Sequence, residues 1–403
     1  MSISKNHSFF LPIIMILLAM LTAMAPLGID TYLSSMPEMA TYYGVQINQV
    51  ELTLTIYFLG FAFGNFLGGP ISDAFGRKTL ALTGISIYLL TAFLIPFAIS
   101  IQMVWLLRAL QALGGGFATV TPMIFIRDWY EGKKVAKLAT IIGMIMMFAP
   151  LIAPILGTSL AHYWGWKSIF FFLAVYAAVI GLAILFIIPE SRPKEHITNR
   201  ISFSEFFEKY KLLLSNKSAV FILLTLGFSM AGMYAFITAG SFIYLDYFGF
   251  SPNYFPLLFG ANVLLNVILS LSNTILLKKY KTLNIIKVGV FMQLLAGIVL
   301  FIATIPAQAS FIPIFASIVW FVGCIGIIFG NGTAVLLNLV PELSGSANAM
   351  IGLTRFLLGS VAGFLIAFFH SDNLLPVGIV MFSCAILANL FLLLYRRSVK
   401  EVK

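Results

Sequence analysis

Long apolar runs separated by short polar stretches repeat along the whole chain. Twelve of them fall near residues 9–31, 47–69, 79–98, 101–124, 135–160, 167–188, 219–243, 254–277, 284–305, 312–337, 346–369 and 374–395. Each is close to the roughly 20 residues that a helix needs to cross the hydrocarbon core of a bilayer. The polar breaks are short except one, residues 189–218, which stands between six runs and six. The pattern predicts an all-α integral membrane protein of twelve transmembrane helices in two six-helix pseudo-repeat halves. These are residues 1–188 and 219–403, with a cytoplasmic linker over 189–218. In the linker, Phe203, Phe206, Phe207 and Tyr210 recur at helical spacing with charges between them. That spacing predicts a helix over 202–214 lying at the membrane surface.

The first run has a second possible meaning, because Lys5 followed by an apolar stretch and small residues at Ala23 and Ala25 imitates a secretory signal. The run from 9 to 28 is longer than a signal core, and its removal would break the even number of spans. It is read as an uncleaved first helix.

Composition strengthens this picture. Of 403 residues 61% are hydrophobic and 9% charged, against roughly 25% charged in soluble domains. The net charge of +10 would suggest a nucleic-acid partner in a soluble protein. Here the positives sit in loops, so they report topology and no nucleic acid is expected. With the N-terminus inside, the cytoplasmic stretches hold Lys5, Arg77, Lys78, Arg127, Lys133, Lys134 and Lys137. The linker adds Arg192, Lys194, Arg200, Lys209, Lys211 and Lys217. Lys278, Lys279, Lys281, Lys287, Arg396, Arg397, Lys400 and Lys403 complete 21 of the 24. The positive-inside rule therefore places both termini in the cytoplasm. Lys167 falls outside, and Arg108 and Arg355 fall within spans.

Cys324 and Cys384 lie in apolar runs and read as small buried hydrophobes, without a disulfide framework or a metal site. His7, His162, His196 and His370 fall outside the runs and read as solvated. No nucleophile–base or metal constellation appears, so an enzyme is not expected.

An ionisable group inside a span is a functional candidate by default. Asp30 lies 17 residues beyond Ile13, roughly 25 Å at 1.5 Å per residue, in the outer part of helix 1. Arg108, about 10 Å below the outer face in helix 4, shares that depth. The two could pair directly or through water if both helices line a cavity. An arginine stays charged at any relevant pH, whereas an aspartate beside a partly dry cavity can take and release a proton. Asp30 is therefore the better proton or cation carrier, and Arg108 the group that tunes it. The competing reading of Asp30 is an interfacial cap where Pro26 and Gly28 disturb helix 1. For Arg355, about 13 Å up helix 11, function and snorkelling to the inner face are both open.

The stretch after helix 2 reads Gly69-Pro-Ile-Ser-Asp73-Ala-Phe-Gly76-Arg77-Lys78. Glycines permit a tight reversal, Asp73 suits the positive end of a neighbouring helix, and Arg77 can pair with Asp128. Elsewhere Asn262, Asn266 and Asn273 share one face of helix 8, and Asn331 and Asn338 are seven apart in helix 10. Substrate contact and interhelical hydrogen bonding are both open for them. Tyr32, Tyr234 and Phe236 could form an amphipathic wall, but with 39 Phe and 15 Tyr in the chain a lipid-facing place is favoured. Thr53, Thr55 and Tyr57 give no specific signal.

The 69–78 segment resembles the loop 2–3 signature of the major facilitator superfamily. Arg108-Ala-Leu-Gln111-Ala-Leu-Gly114-Gly-Gly116 resembles its proton-coupling motif. Ala149-Pro150-Leu-Ile-Ala153-Pro154-Ile-Leu-Gly157 resembles its antiporter motif, with alanines replacing two customary glycines. The double Ala-Pro form, with Ile29-Asp30-Thr-Tyr32-Leu, Met36-Pro37 and Trp164-Gly-Trp-Lys-Ser-Ile-Phe170, is similar to the Bcr/CflA (bicyclomycin-resistance-like) drug:proton antiporters. The likeness is dense over 20–190 and thinner beyond, as at Gly249-Phe-Ser-Pro252 and Ser346-Ala-Asn-Ala.

The resemblance implies a major facilitator fold in a bacterial inner membrane, a monomer exchanging protons for a small-molecule substrate across the lipid bilayer. The proton motive force would drive it without a cofactor. Arg108 and Gln111 would serve proton coupling and Asp30 the cavity. Helix 5, with Pro150, Pro154 and Gly157, would form a rigid interface. A specific metabolite or siderophore exporter, or an uptake transporter of the same fold, are the alternatives. The chain departs from the pattern in having one acid in helix 1, in a Lys278-Lys-Tyr-Lys281 turn stripped of its Asp and glycines, and in Arg355.

Overall fold

The computed structural model describes residues 10–193, 195, 197 and 203–401. Lys5, His7, Lys194, His196, Arg200, Ser202 and Lys403 lie outside the described residues. Among those described, twelve helices are long and apolar enough to cross a membrane. The first span, Ile13–Tyr43, is built from α1 (Phe10–Asp30), a 3-10 turn at Leu33–Ser35, and α2 (Met36–Tyr43). Then come α3 (Ile47–Phe75), α4 (Arg77–Leu94), α5 (Ile101–Trp129), α6 (Lys133–Trp164) and α7 (Lys167–Ile187). The linker contains α8 (Phe203–Ser215), whose Tyr210 and Leu213 are buried while Phe207 and Leu212 are exposed. The second set comprises α9 (Lys217–Ser241), extended by a π-helical stretch Phe242–Tyr247, then α10 (Phe255–Lys279) and α11 (Thr282–Thr304). It ends with α12 (Phe311–Gly323), α13 (Ile325–Leu339), α14 (Ser344–Phe368) and α15 (Leu375–Glu401).

Three features differ from the apolar pattern. The first span runs past residue 31, because the chain bends at Leu33–Ser35 and resumes as α2. Residues 69–75 are the last turns of α3 and not a loop. Gly76 N still donates to Ser72 O in helical register, and only Gly76, at φ +98°, ends the helix. The tenth run is broken between α12 and α13. At the break Asn266 Nδ2 donates to Val322 O at 3.2 Å, and Gly326 is packed so tightly that a Cβ would strike the Asn266 carbonyl. A side chain thus supplies the polar contact that helical continuity would have given.

The helices form two compact units: Met1–Tyr43 with Leu59–Phe203, and Gly44–Phe58 with Ser204–Lys403. The first part of α3, residues 47–58, thus belongs to the second unit. In the first unit α5 carries a face of small residues. A Cβ on Gly114 would stand 2.6 Å from the Gly84 carbonyl oxygen, and one on Gly116 2.7 Å from the Gly64 Cα. Helices α3, α4 and α5 therefore touch backbone to backbone, as small residues allow in lipid, where burial from water drives nothing.

Candidate functional site

Arg108 on α5 has no exposed surface. Its Nη1 donates to Gln111 Oε1 at 2.7 Å, one helical turn on, and its Nη2 donates to the Gly28 carbonyl at 2.9 Å. The guanidinium lies 4.4 Å from the Tyr32 ring centroid and 5.9 Å from that of Phe170. The end of α1 explains the arrangement. The last carbonyls of a helix lack intrahelical partners. Thr31 N takes Leu27 O at 3.3 Å, and Arg108 takes Gly28 O. A cation there also faces the negative end of the helix dipole.

Asp30, the last residue of α1, is 3% exposed, and its Oδ1 has no hydrogen-bond partner. The direct Asp30–Arg108 pairing that the sequence allows is not formed. None of the ion pairs among the described residues joins them, because the guanidinium is engaged by Gly28, Gln111 and Tyr32. Asp30 does stand at the end of α1, where the cap alternative places it, and it is buried there.

Helix α6 closes this region. Ala149, Ala153 and Gly157 recur every four residues on a buried face, with Pro150 and Pro154 beside them. Gly157 meets the backbone directly after Asp30, and a Cβ there would collide with the Thr31 carbonyl. Thr158 Oγ1 donates to Ser34 Oγ at 2.9 Å on the same contact. Asp30, Arg108, Gln111, Tyr32 and Gly157 are thus gathered around the end of α1.

A second polar cluster joins α3, α4 and α5. Arg77 Nη1 meets Asp73 Oδ1 at 2.6 Å and its Nε meets Asp128 Oδ2 at 3.2 Å. Asp73 also binds Arg192 Nη1 at 2.9 Å, so it faces cations and not a helix N-terminus. The N-terminus of α4 is capped by Glu190, whose Oε1 and Oε2 accept from Arg77 N and Lys78 N at 2.9 and 3.0 Å. Ser191 Oγ donates to Asp128 Oδ2 at 2.7 Å. A Cβ on Gly76 would lie 2.6 Å from Glu190 Oε2, whereas Gly69 has open space around it. Neither Glu190 nor Ser191 stands out by its place in the sequence. Their signal is the Glu-Ser-Arg run at the head of the linker.

In the second unit the asparagines bond between helices or to their own. Asn331 Nδ2 donates to Asn273 Oδ1 at 2.8 Å and Asn273 Nδ2 returns a bond to Asn331 Oδ1 at 3.3 Å. Asn262 Nδ2 donates to Leu258 O at 3.0 Å within α10. Asn338 is exposed. Arg355, half-buried, lies over the Phe356 and Phe329 rings at 4.6 and 5.5 Å. Tyr32, Tyr234 and Phe236 are buried in protein and do not face lipid. His370, partly buried outside the spans, has its imidazole held below the usual histidine range by burial, opposed by Asp246 and Asp372. Glu51, which its sequence position does not single out, is 0% exposed in α3.

Among the described residues no group of three or more His, Cys, Asp or Glu could hold a metal ion. What the molecule offers is a bundle of spans with a buried acid, a fixed cation and a tightly packed helix contact.

The sequence profile of the Major Facilitator Superfamily matches residues 18–364. A bicyclomycin resistance protein homolog of Haemophilus influenzae is 30% identical over 380 residues, 94% of each chain. The multidrug resistance protein MdtL of Salmonella paratyphi C is 25% identical over 387 residues, 94% of this chain and 95% of that one. Among solved structures, the xylose transporter XylE from E. coli in a partially occluded state superposes with TM-score 0.71 at 15% identity, covering 95% and 97% of the chains. A bacterial homolog of the human lysosomal transporter Spinster gives 0.72 at 14%, covering 98% of each. The chain belongs to the major facilitator superfamily.

Proposed function

We propose that the protein exports amphipathic small molecules from a bacterial cytoplasm in exchange for protons, as an inner-membrane monomer with both termini inside. The observation that carries this reading is the end of α1, where a buried carboxyl without a donor on Oδ1 adjoins a helix end held by Arg108. Proton binding at Asp30 removes one negative charge from that region. Arg108 keeps its charge throughout and Gln111 fixes its orientation. The two protonation states therefore differ in stability at the α1–α6 contact around Gly157, and such a difference is what a conformational cycle requires. The two six-helix halves serve as the moving bodies, and the proton motive force supplies the energy without a cofactor. The names of the relatives, bicyclomycin resistance and multidrug resistance, support a drug as cargo. The 21 cytoplasmic positives support the orientation.

The test is proton movement in everted membrane vesicles on adding members of a panel of cationic, neutral and anionic compounds. Wild type should release protons with at least one of them, and Asp30→Asn and Arg108→Ala should not. Silence of wild type across the panel overturns antiport, and unchanged coupling in Asp30→Asn overturns the role of Asp30. A narrower reading, export of one anionic metabolite or siderophore, is favoured by Arg355 over its two rings. In that case only anionic panel members respond, and Arg355→Gln abolishes the response.

A further inference from the structure

Glu51 lies one turn into α3, among the residues that pack with the second unit. It has no exposed surface, and neither Oε1 nor Oε2 has a hydrogen-bond partner. One turn further along the same face stands Thr55, also buried, with its Oγ1 unpartnered. The hydroxyls of Thr55 and Thr238 converge on one point. A Cβ on Gly363 of α14 would lie 2.6 Å from Thr55 Oγ1 and 2.8 Å from Thr238 Oγ1. Thr238 and Ser241 of α9 are buried and three residues apart, and their hydroxyls have no partner either. Asn48, a turn before Glu51, anchors this end of α3 by donating from Nδ2 to Ala367 O at 3.1 Å.

The charges around the carboxyl are few. Helix α3 carries no Lys or Arg, α9 only Lys217 at its start, and α14 only Arg355. Arg355 is eight residues from Gly363 along α14, roughly 12 Å. The charged group that acts on Glu51 is Asp246, exposed in the π-helical stretch. His370 and Asp372 lie near Asp246 in turn, and Tyr244 presents a buried hydroxyl from the same stretch. None of the ion pairs among the described residues involves Glu51, so it is not one half of a structural ion pair.

From this geometry we propose that Glu51 is a second exchangeable proton site of the transporter, one turn of α3 from the Thr55 hydroxyl and separate from Asp30. In one state the carboxyl holds a proton on Oε1 or Oε2. In the other the O–H bond breaks, the proton leaves to water through the Asp246 end, and a carboxylate of charge −1 remains. No electrons are transferred. This site rests on the proton-exchange reading above and adds one proton to each cycle.

The test is infrared difference spectroscopy of the full chain in liposomes, alkaline minus acid, with hydrogen–deuterium exchange to mark carboxyl bands. Wild type should lose two protonated-carboxyl bands on alkalinisation. Glu51→Gln should remove one and keep the other, and Asp30→Asn should do the reverse. A Glu51→Gln spectrum identical to wild type overturns the proposal. So does a band that sodium discharges at constant pH, because the site then holds a metal cation. Thr238→Val keeps the acid and the side-chain shape, so it reports on the site even if Glu51→Gln does not fold. Its Glu51 band should still be lost on alkalinisation, and its absence overturns the proposal. Titration of the Glu51 band in a protein whose vesicles release no protons would sink the antiport reading and leave this site standing.

Discussion

The two buried acids of the spans, Asp30 and Glu51, sit in opposite electrostatic settings. Asp30 ends a helix whose Gly28 carbonyl, two residues before it, is held by the Arg108 cation. Glu51 lies within a helix, with an unpartnered hydroxyl a turn along its face, and none of the ion pairs among the described residues involves it. The first acid is placed by its surroundings through a cation and a backbone contact. The second is placed by burial alone. Sequence position marks only the first, an acid 17 residues beyond Ile13, whereas Glu51 stands four residues into its apolar run.

The strongest way to break this contrast is to remove the cation. Arg108→Ala leaves Gly28 O and Gln111 Oε1 without their donor, and each hydrogen bond to a charged group is worth about 1.5–3 kcal/mol. Thermal unfolding in detergent should show a loss of about 3 kcal/mol or more, and Arg108→Lys should not restore it, lacking the two-pronged geometry. The matched change Glu51→Gln should cost little stability, since no partner is lost. A large loss there would mean that Glu51 is a structural group after all.

Next comes the backbone contact beside Asp30. Gly157→Ala forces α6 away from Thr31, and overpacking of this kind costs about 1–3 kcal/mol. Transport should fall with it, measured as substrate efflux from cells. Gly69→Ala, with open space around it, should leave both unchanged.

A smaller effect is expected at Arg77. Arg77→Ala removes its bonds to Asp73, Asp128 and Ser72, while Arg192 and Ser191 still serve the two acids. A loss of about 1–2 kcal/mol in unfolding free energy should result. The related turn after α10 has three exposed lysines and no acid, so Lys279→Ala there should change nothing measurable.

The smallest effect concerns pH. His370 folds with its imidazole held below its ordinary value by burial, so the unfolded chain binds the proton more readily. Its contribution to stability is complete above about pH 6.5 and is lost as pH falls through that value toward the folded one. His370→Gln should flatten the acid side of the stability profile in that window. An unchanged slope would show that the imidazole is free to charge in the folded protein.

The twelve spans were legible in the sequence because each is a run of lipid length, and lipid admits little other than a helix there. Their ends were not, since Leu33–Ser35 and the α12–α13 break are decided by side-chain and backbone contacts from other helices. Arg108 and Gln111 come together in the sequence only through the resemblance of their stretch to a proton-coupling motif. Their third partner was hidden, because a carbonyl becomes available only where a helix happens to stop. Glu51 was passed over for a different reason. An acid four residues into an apolar run, near Gln49, reads as the polar end of a helix. Only the packing of α9 and α14 turns that end into an interior. Likewise Tyr234 and Phe236 look like any of the many aromatics until their neighbours are known.

The cap on α4 bears on how the protein can be taken apart. Glu190, Ser191 and Arg192 are numbered within the linker, yet Glu190 caps α4, Ser191 binds Asp128 and Arg192 binds Asp73, all in the first six helices. A two-piece version expressed from separate reading frames should therefore be divided after residue 193, so that the first fragment keeps its own clasp. A division before Glu190 hands that clasp to the wrong fragment and leaves the two amides at the start of α4 bare.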